Sequence, residues 1–85
     1  MNKYYDKIMQ KKPEFALDYI TQGDMCMTKE HFQKAIDYYT KLRLEDYGGR
    51  YIENIIKCFK KLGKIYKIKS FVTKCLQEGR LCKLD

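Results

Sequence analysis

Moved 33 places along itself, the chain falls back on its own apolar pattern. Ala35 then lies on Ile68, Tyr39 on Val72, Leu42 on Cys75, Tyr19 on Ile52 and Cys26 on Phe59. A period near 34, with two helical stretches in each period, marks a repeat built from helix–turn–helix units. It confines the chain to an all-α fold. No stretch alternates apolar and polar residues over a strand length between turns, and helical spacing runs almost throughout.

The helices follow from local signals. Residues 2–11 form a short helix with Tyr4, Tyr5, Ile8 and Met9 on one face. Lys12 precedes Pro13 and so avoids the helical region, whereas Pro13 suits a first helical turn. A second helix is expected from 14 to about 27, with Phe15, Ala16, Tyr19, Ile20, Gly23 and Cys26 or Met27 inward. Gly23 costs about 1 kcal/mol against alanine within a helix. It implies the close approach of a neighbouring helix.

A third helix, from about 30 to 44, follows a break without a strong cap and carries Phe32, Ala35, Ile36, Tyr39 and Leu42 inward. That is the spacing of an amphipathic helix. Residues 45–49 form the clearest loop. A fourth helix, about 50–62, turns Ile52, Ile55, Ile56, Phe59 and Leu62 inward, and Gly63 ends it in left-handed geometry. A fifth spans about 64–78 and stops at Gly79, leaving 79–85 as a tail. Eighty-five residues make one domain with a modest core. The expected architecture over 1–85 is an α-solenoid of about two antiparallel helix pairs, 14–44 and 50–78, behind the short N-terminal helix.

The segment from His31 to Leu42, HFQKAIDYYTKL, resembles the second helix of a tetratricopeptide repeat (TPR). That family places a small residue where Ala35 stands and an aromatic where Tyr39 stands. Gly23 falls on the small residue of its first helix, and Tyr19 on its aromatic near the helix start. The second unit keeps the apolar pattern, with Phe59 at the position of Cys26 and Gly63 at the turn. Departures are Cys26 for the family's tyrosine, Glu30 for its glycine, Ile68 for the second alanine, and no proline near Tyr47. The second unit is also similar to a pentatricopeptide repeat, through Asn54-Ile55-Ile56, the run from Lys60 to Ile65, Cys75 and Gly79. That resemblance implies an RNA-base-reading place for Asn54. Such readers take one base per repeat, so one or two units specify no sequence. The TPR resemblance is the preferred one, and it implies a protein-binding role. The chaperone-tail clamp of some TPR domains is not expected, because Ile20 and Asp24 replace its lysine and asparagine.

Charge sharpens the choice of partner. The net charge of +7 is uneven: residues 1–42 hold seven basic and six acidic groups, residues 43–85 eleven and five. Between Glu53 and Glu78 stand seven lysines, Lys57, Lys60, Lys61, Lys64, Lys67, Lys69 and Lys74, and no carboxylate. Lys57, Lys60, Lys61 and Lys64 recur at helical spacing opposite the apolar stripe of the fourth helix. Like charges so placed repel by a few tenths of a kcal/mol per pair. An anionic partner relieves that cost; the alternative is a solvated face. With Lys67 and Asn54 these form the candidate anionic-partner surface, while Tyr19, Gly23, Ala35, Tyr39, Phe59 and Gly63 are the packing positions. Tyr4, Tyr5, Tyr38, Tyr47, Tyr51 and Tyr66 sit off or at the edge of the core stripes, a placement that suits interfaces.

No glycine-rich phosphate loop, nucleophile elbow or metal-ligand spacing occurs, and His31 is a lone histidine, so no enzyme, metal or cofactor is expected. Cys26, Cys58, Cys75 and Cys82 make no Cys-x-x-Cys pair, and no apolar run is long enough to span a membrane. A reducing compartment follows, the cytoplasm or an organelle matrix. The expected function is a protein–protein adaptor in a larger assembly, docking through the repeat concavity or the open fifth helix, onto a partner or another copy. The alternative is an RNA-associated subunit with lysines on phosphates.

Overall fold

Asp18 sets where the second helix begins. Its Oδ2 accepts the N–H groups of Glu14 and Phe15, each at 3.0 Å, and Lys11 Nζ lies 2.9 Å from Oδ1. This is the carboxylate half of a capping box. The helix therefore starts at Ala16, two residues later than its sequence signals imply. Phe15 becomes the N-cap in extended geometry, φ −117° and ψ 162°. Its ring leaves the inward stripe and is 70% exposed, against the expectation.

The computed structural model describes residues 3–81, apart from the surroundings of Asp46 and Gly48. Five helices form: α1 (Lys3–Gln10), α2 (Ala16–Thr28), α3 (Phe32–Tyr39), α4 (Gly49–Lys61) and α5 (Ile68–Glu78). The chain is all-helical as expected, with no strand among the described residues. Neighbours in sequence pack on one another: α1 on α2, α2 on α3, α3 on α4, α4 on α5.

Two turns share one hydrogen-bond pattern. After α2, His31 N–H donates to Cys26 C=O at 2.8 Å and Glu30 N–H to Met27 C=O at 3.0 Å. After α4, Lys64 N–H donates to Phe59 C=O at 2.8 Å and Gly63 N–H to Lys60 C=O at 3.1 Å. Both are Schellman motifs, whose pivot residue is left-handed. The pivots are Glu30, φ 61°, and Gly63, φ 72°. Donors, acceptors and pivots correspond one by one at an offset of 33 residues. The break after α2 is thus a strong cap without the usual glycine.

The third and fifth helices depart from the sequence reading. α3 ends at Tyr39 instead of 44, because the chain turns extended at Arg43, φ −88° and ψ 150°, and pairs with the segment after α5. Leu81 N–H donates to Leu42 C=O at 3.0 Å and Leu44 N–H to Gly79 C=O at 3.1 Å, an isolated antiparallel bridge between Arg43 and Arg80. Residues 45–49 are no loop: Leu44–Gly48 is a π-helical turn that runs into α4. A 3-10 turn, Ile65–Lys67, precedes α5, so the fifth helix starts four residues late. That shift takes Ile65 out of the helical register, and it is 64% exposed.

The core is drawn from α2 to α5. Ala35, Ile36 and Tyr39 of α3 meet Ile55, Cys58 and Phe59 of α4, and Phe59 and Phe71 cross edge-to-face at 5.5 Å between centroids. Leu81, expected in the tail, is fully buried in this core. Burial of a leucine stabilises by about 1.5–3 kcal/mol. Cys82 and residues 83–85 of the expected tail lie outside the described residues.

Candidate functional site

The lysines wrap one corner of the molecule. Lys57, Lys60 and Lys61 are exposed on the last turns of α4. Lys64 lies in the Schellman turn and Lys67 in the 3-10 turn, both half-buried. Lys69 and Lys74 continue on α5. The expectation of Lys57, Lys60, Lys61 and Lys64 on one helical face is therefore corrected: α4 ends at Lys61, and Lys64 belongs to the turn. Among the described residues none of the seven lysines comes within ion-pair distance of a carboxylate.

Asn54 faces a different group. Its Nδ2 donates to the hydroxyl of Tyr39 at 3.5 Å, and that hydroxyl donates to Asp24 Oδ1 at 2.5 Å. The Tyr39 ring stacks on Tyr51 with centroids 5.1 Å apart. One buried side chain of α3 thereby reaches between α2 and α4, and its hydroxyl ties both. Burial, then the Asp24 carboxylate, pushes the Tyr39 hydroxyl far above its ordinary range, so it stays a neutral donor. Gly23 lies directly against this ring. Tyr19 is half-buried beside it in the chain, Ala35 and Phe59 are buried, and Gly63 is exposed at its turn.

A groove of about 470 Å³ runs between α1 and α2, lined by Tyr4, Lys7, Ile8, Lys11, Asp18, Thr21 and Gln22. Gln22 is buried, and its Nε2 donates to Ile8 C=O at 3.0 Å and Lys11 C=O at 2.6 Å. It closes two carbonyls at the end of α1 and so clips that helix to α2. At the other end of the contact, the Tyr5 hydroxyl and His31 Nδ1 lie 3.2 Å apart, and the rings meet edge-on at 6.3 Å. Lys29 Nζ stands 5.7 Å from the Tyr5 ring centre. The lone histidine is thus a docking point for α1.

The sulfur groups are interior. Cys26, Cys58 and Cys75 are fully buried, and the Cys58 thiol points at Met27 Sδ at 3.1 Å. Burial, with the neighbouring Cys26, pushes the Cys58 thiol up to about 11, so it is no nucleophile at neutral pH.

Besides Tyr4 and Tyr47, the exposed large apolar side chains fall on two elements. Phe15 and Leu17 stand at the start of α2, 70% and 64% exposed. Ile65, Tyr66 and Leu76 stand on α5 and the turn into it, at 64%, 74% and 69%. The second set lies among the lysines. Ile68, Phe71, Val72 and Cys75 fill the inward stripe of α5 and leave Leu76 outside.

Sequence reasoning missed Gln22 and Leu81, and it did not place Asp24 and Tyr51 on Tyr39. Gln22 carried a usable signal, since it falls in the inward series of Tyr19, Gly23 and Cys26, and a polar residue there implies a buried partner. Compared with known proteins, the chain matches no protein-family model, no curated protein and no solved structure. No helix among the described residues is long and apolar enough to cross a membrane.

Proposed function

We propose that this chain is a non-enzymatic, TPR-like helical-repeat adaptor, a small subunit held in a larger assembly by protein contacts. One observation carries the reading: exposed Ile65, Tyr66 and Leu76 stand among lysines that no carboxylate of the described chain neutralises. Exposed apolar surface and unscreened like charge each cost free energy in isolation, and a partner removes both costs at once. The recurrence of the Schellman turn at 33 residues supports the repeat part of the reading. Two stacked units leave an outer helix face uncovered, where a solenoid continues with further units or ends on a cap. The buried thiols of Cys26 and Cys58 suit a reducing intracellular compartment.

The lysine corner also favours a second reading, an RNA-associated subunit with Lys57, Lys60, Lys61, Lys64 and Lys67 on phosphates. One experiment separates the two: sizing of the tagged chain in lysate of its native cells, with and without ribonuclease. The adaptor reading expects a particle far above the 10.3 kDa of the monomer that survives ribonuclease. Migration as a folded monomer rejects both readings. Collapse of the particle under ribonuclease selects the second.

A further inference from the structure

The outer face of α5 has a definite chemistry. Lys69, Thr73 and Leu76 recur at helical spacing along one exposed stripe, with Ser70 and Gln77 beside them, and Tyr66 is exposed in the 3-10 turn before the helix. A shallow depression runs along this stripe, lined by Lys69, Ser70, Thr73, Lys74, Gln77 and Glu78. Leu76 is exposed on the same helix and Tyr66 in the turn before it, ten residues apart. The α-helical part of that span, Ile68 to Leu76, is about 12 Å long at 1.5 Å per residue, a little over two turns. Lys64 and Lys67 flank the Tyr66 end and Lys69 and Lys74 lie along the middle, none within ion-pair reach of a carboxylate among the described residues.

Resting on the adaptor reading above, we infer that this stripe docks an acidic amphipathic helix of a partner protein. Charge complementarity demands an anion, and the exposed side chains decide which kind. A nucleic-acid backbone has no use for Ile65 and Leu76, whose aliphatic surface it leaves wet. Base stacking along a strand needs successive aromatic platforms, and this face offers Tyr66 alone. The basic groups are lysines, point charges without the two-pronged geometry that phosphate recognition favours. An acidic helix uses every element: its apolar residues sit between Tyr66 and Leu76, and its carboxylates stand over Lys69 and Lys74. Two helices packed ridge into groove approach to about 8–10 Å, a distance that carboxylate and lysine side chains bridge.

The test uses the full chain and a fluorescent peptide of about three Glu/Leu heptads as probe. Anisotropy titration is expected to give binding that weakens as salt rises. Leu76→Ser and the pair Lys69→Glu/Lys74→Glu each weaken it by about tenfold or more, as central contacts do. Leu17→Ser, exposed on α2, leaves it unchanged. All these positions are exposed or half-exposed, and circular dichroism verifies that the variants fold. Equal binding of a Glu/Ser peptide of the same charge overturns the inference, as does tighter binding of a single-stranded RNA of equal charge. Indifference to the α5 substitutions, or absence of peptide binding, also overturns it. If the chain runs in a ribonuclease-resistant particle in its own cells yet fails these tests, this inference falls alone. If it is monomeric there, the adaptor reading falls.

Discussion

Gly23 and the ring of Tyr39 occupy adjoining space with no room for a methyl group between them: a Cβ on Gly23 stands 2.6 Å from Tyr39 Cε1. The ring cannot retreat, because it stacks on Tyr51 and its hydroxyl is held by Asp24 and Asn54. In Gly23→Ala the gain in helix propensity, about 1 kcal/mol, opposes an overpacking cost of about 1–3 kcal/mol. The expected outcome is a net loss of up to about 2 kcal/mol in urea denaturation. A variant more stable than the parent shows that the ring moves after all.

The two Schellman pivots make a matched experiment. Glu30 holds φ 61° with a side chain, whereas Gly63 holds φ 72° without one. A left-handed conformation costs roughly 1–2 kcal/mol for a residue with a Cβ. Glu30→Gly is therefore expected to stabilise by about 0.5–1 kcal/mol. Gly63→Ala is expected to destabilise by about 1 kcal/mol. A Cβ at Gly63 meets nothing within 4 Å, so that cost is backbone alone. Thermal melts of both variants read the pair, and shifts of the same sign contradict the account.

Leu81 follows α5 and is fully buried. Leu81→Ala is expected to cost about 2–5 kcal/mol, the range for a buried leucine. Its backbone bond to Leu42 survives the change, so chemical denaturation reads the side chain alone. A loss under 0.5 kcal/mol, the scale of a surface substitution, shows that Leu81 is not in the core.

Asp18 predicts an acid limb. The Glu14 N–H, the Lys11 ammonium and the Phe15 N–H lower its carboxyl from 3.8 to about 2. A folded value below the unfolded one means stability that is full above about pH 4 and lost as pH falls toward 2. The gap in melting temperature between the parent and Asp18→Asn should therefore be widest above pH 4 and close toward pH 2. A gap that is constant over that window removes Asp18 from the acid response.

The helices were legible because their apolar spacing is local. Tyr19 with Gly23, Ile52 with Ile55 and Phe59, and Phe71 with Cys75 each announce a face within one or two turns. The places where the reading slipped depend on contacts between distant segments. Arg43 pairs with Arg80, and that pairing cuts α3 short at Tyr39. No periodicity near residue 43 encodes a strand-like partner 37 residues away. The candidate site divides in the same way. The lysines could be counted in the sequence, but whether Lys64 and Lys67 ride a helix or a turn depends on where α4 stops. Asn54 looked available for a ligand because its hydroxyl partner, Tyr39, comes from another helix.

The buried sulfurs give each half of the molecule its own clock. Cys26 belongs to α2 and Cys58 to α4, and neither exposes any surface in the closed state. An alkylating reagent reaches each thiol only while its helix stands open, so labelling rates report two separate opening equilibria. Equal rates mean that the halves open as one unit, and unequal rates identify the half that lets go first. A bound partner that clasps α5 and slows Cys58 more than Cys26 betrays its own footing through a residue it never touches.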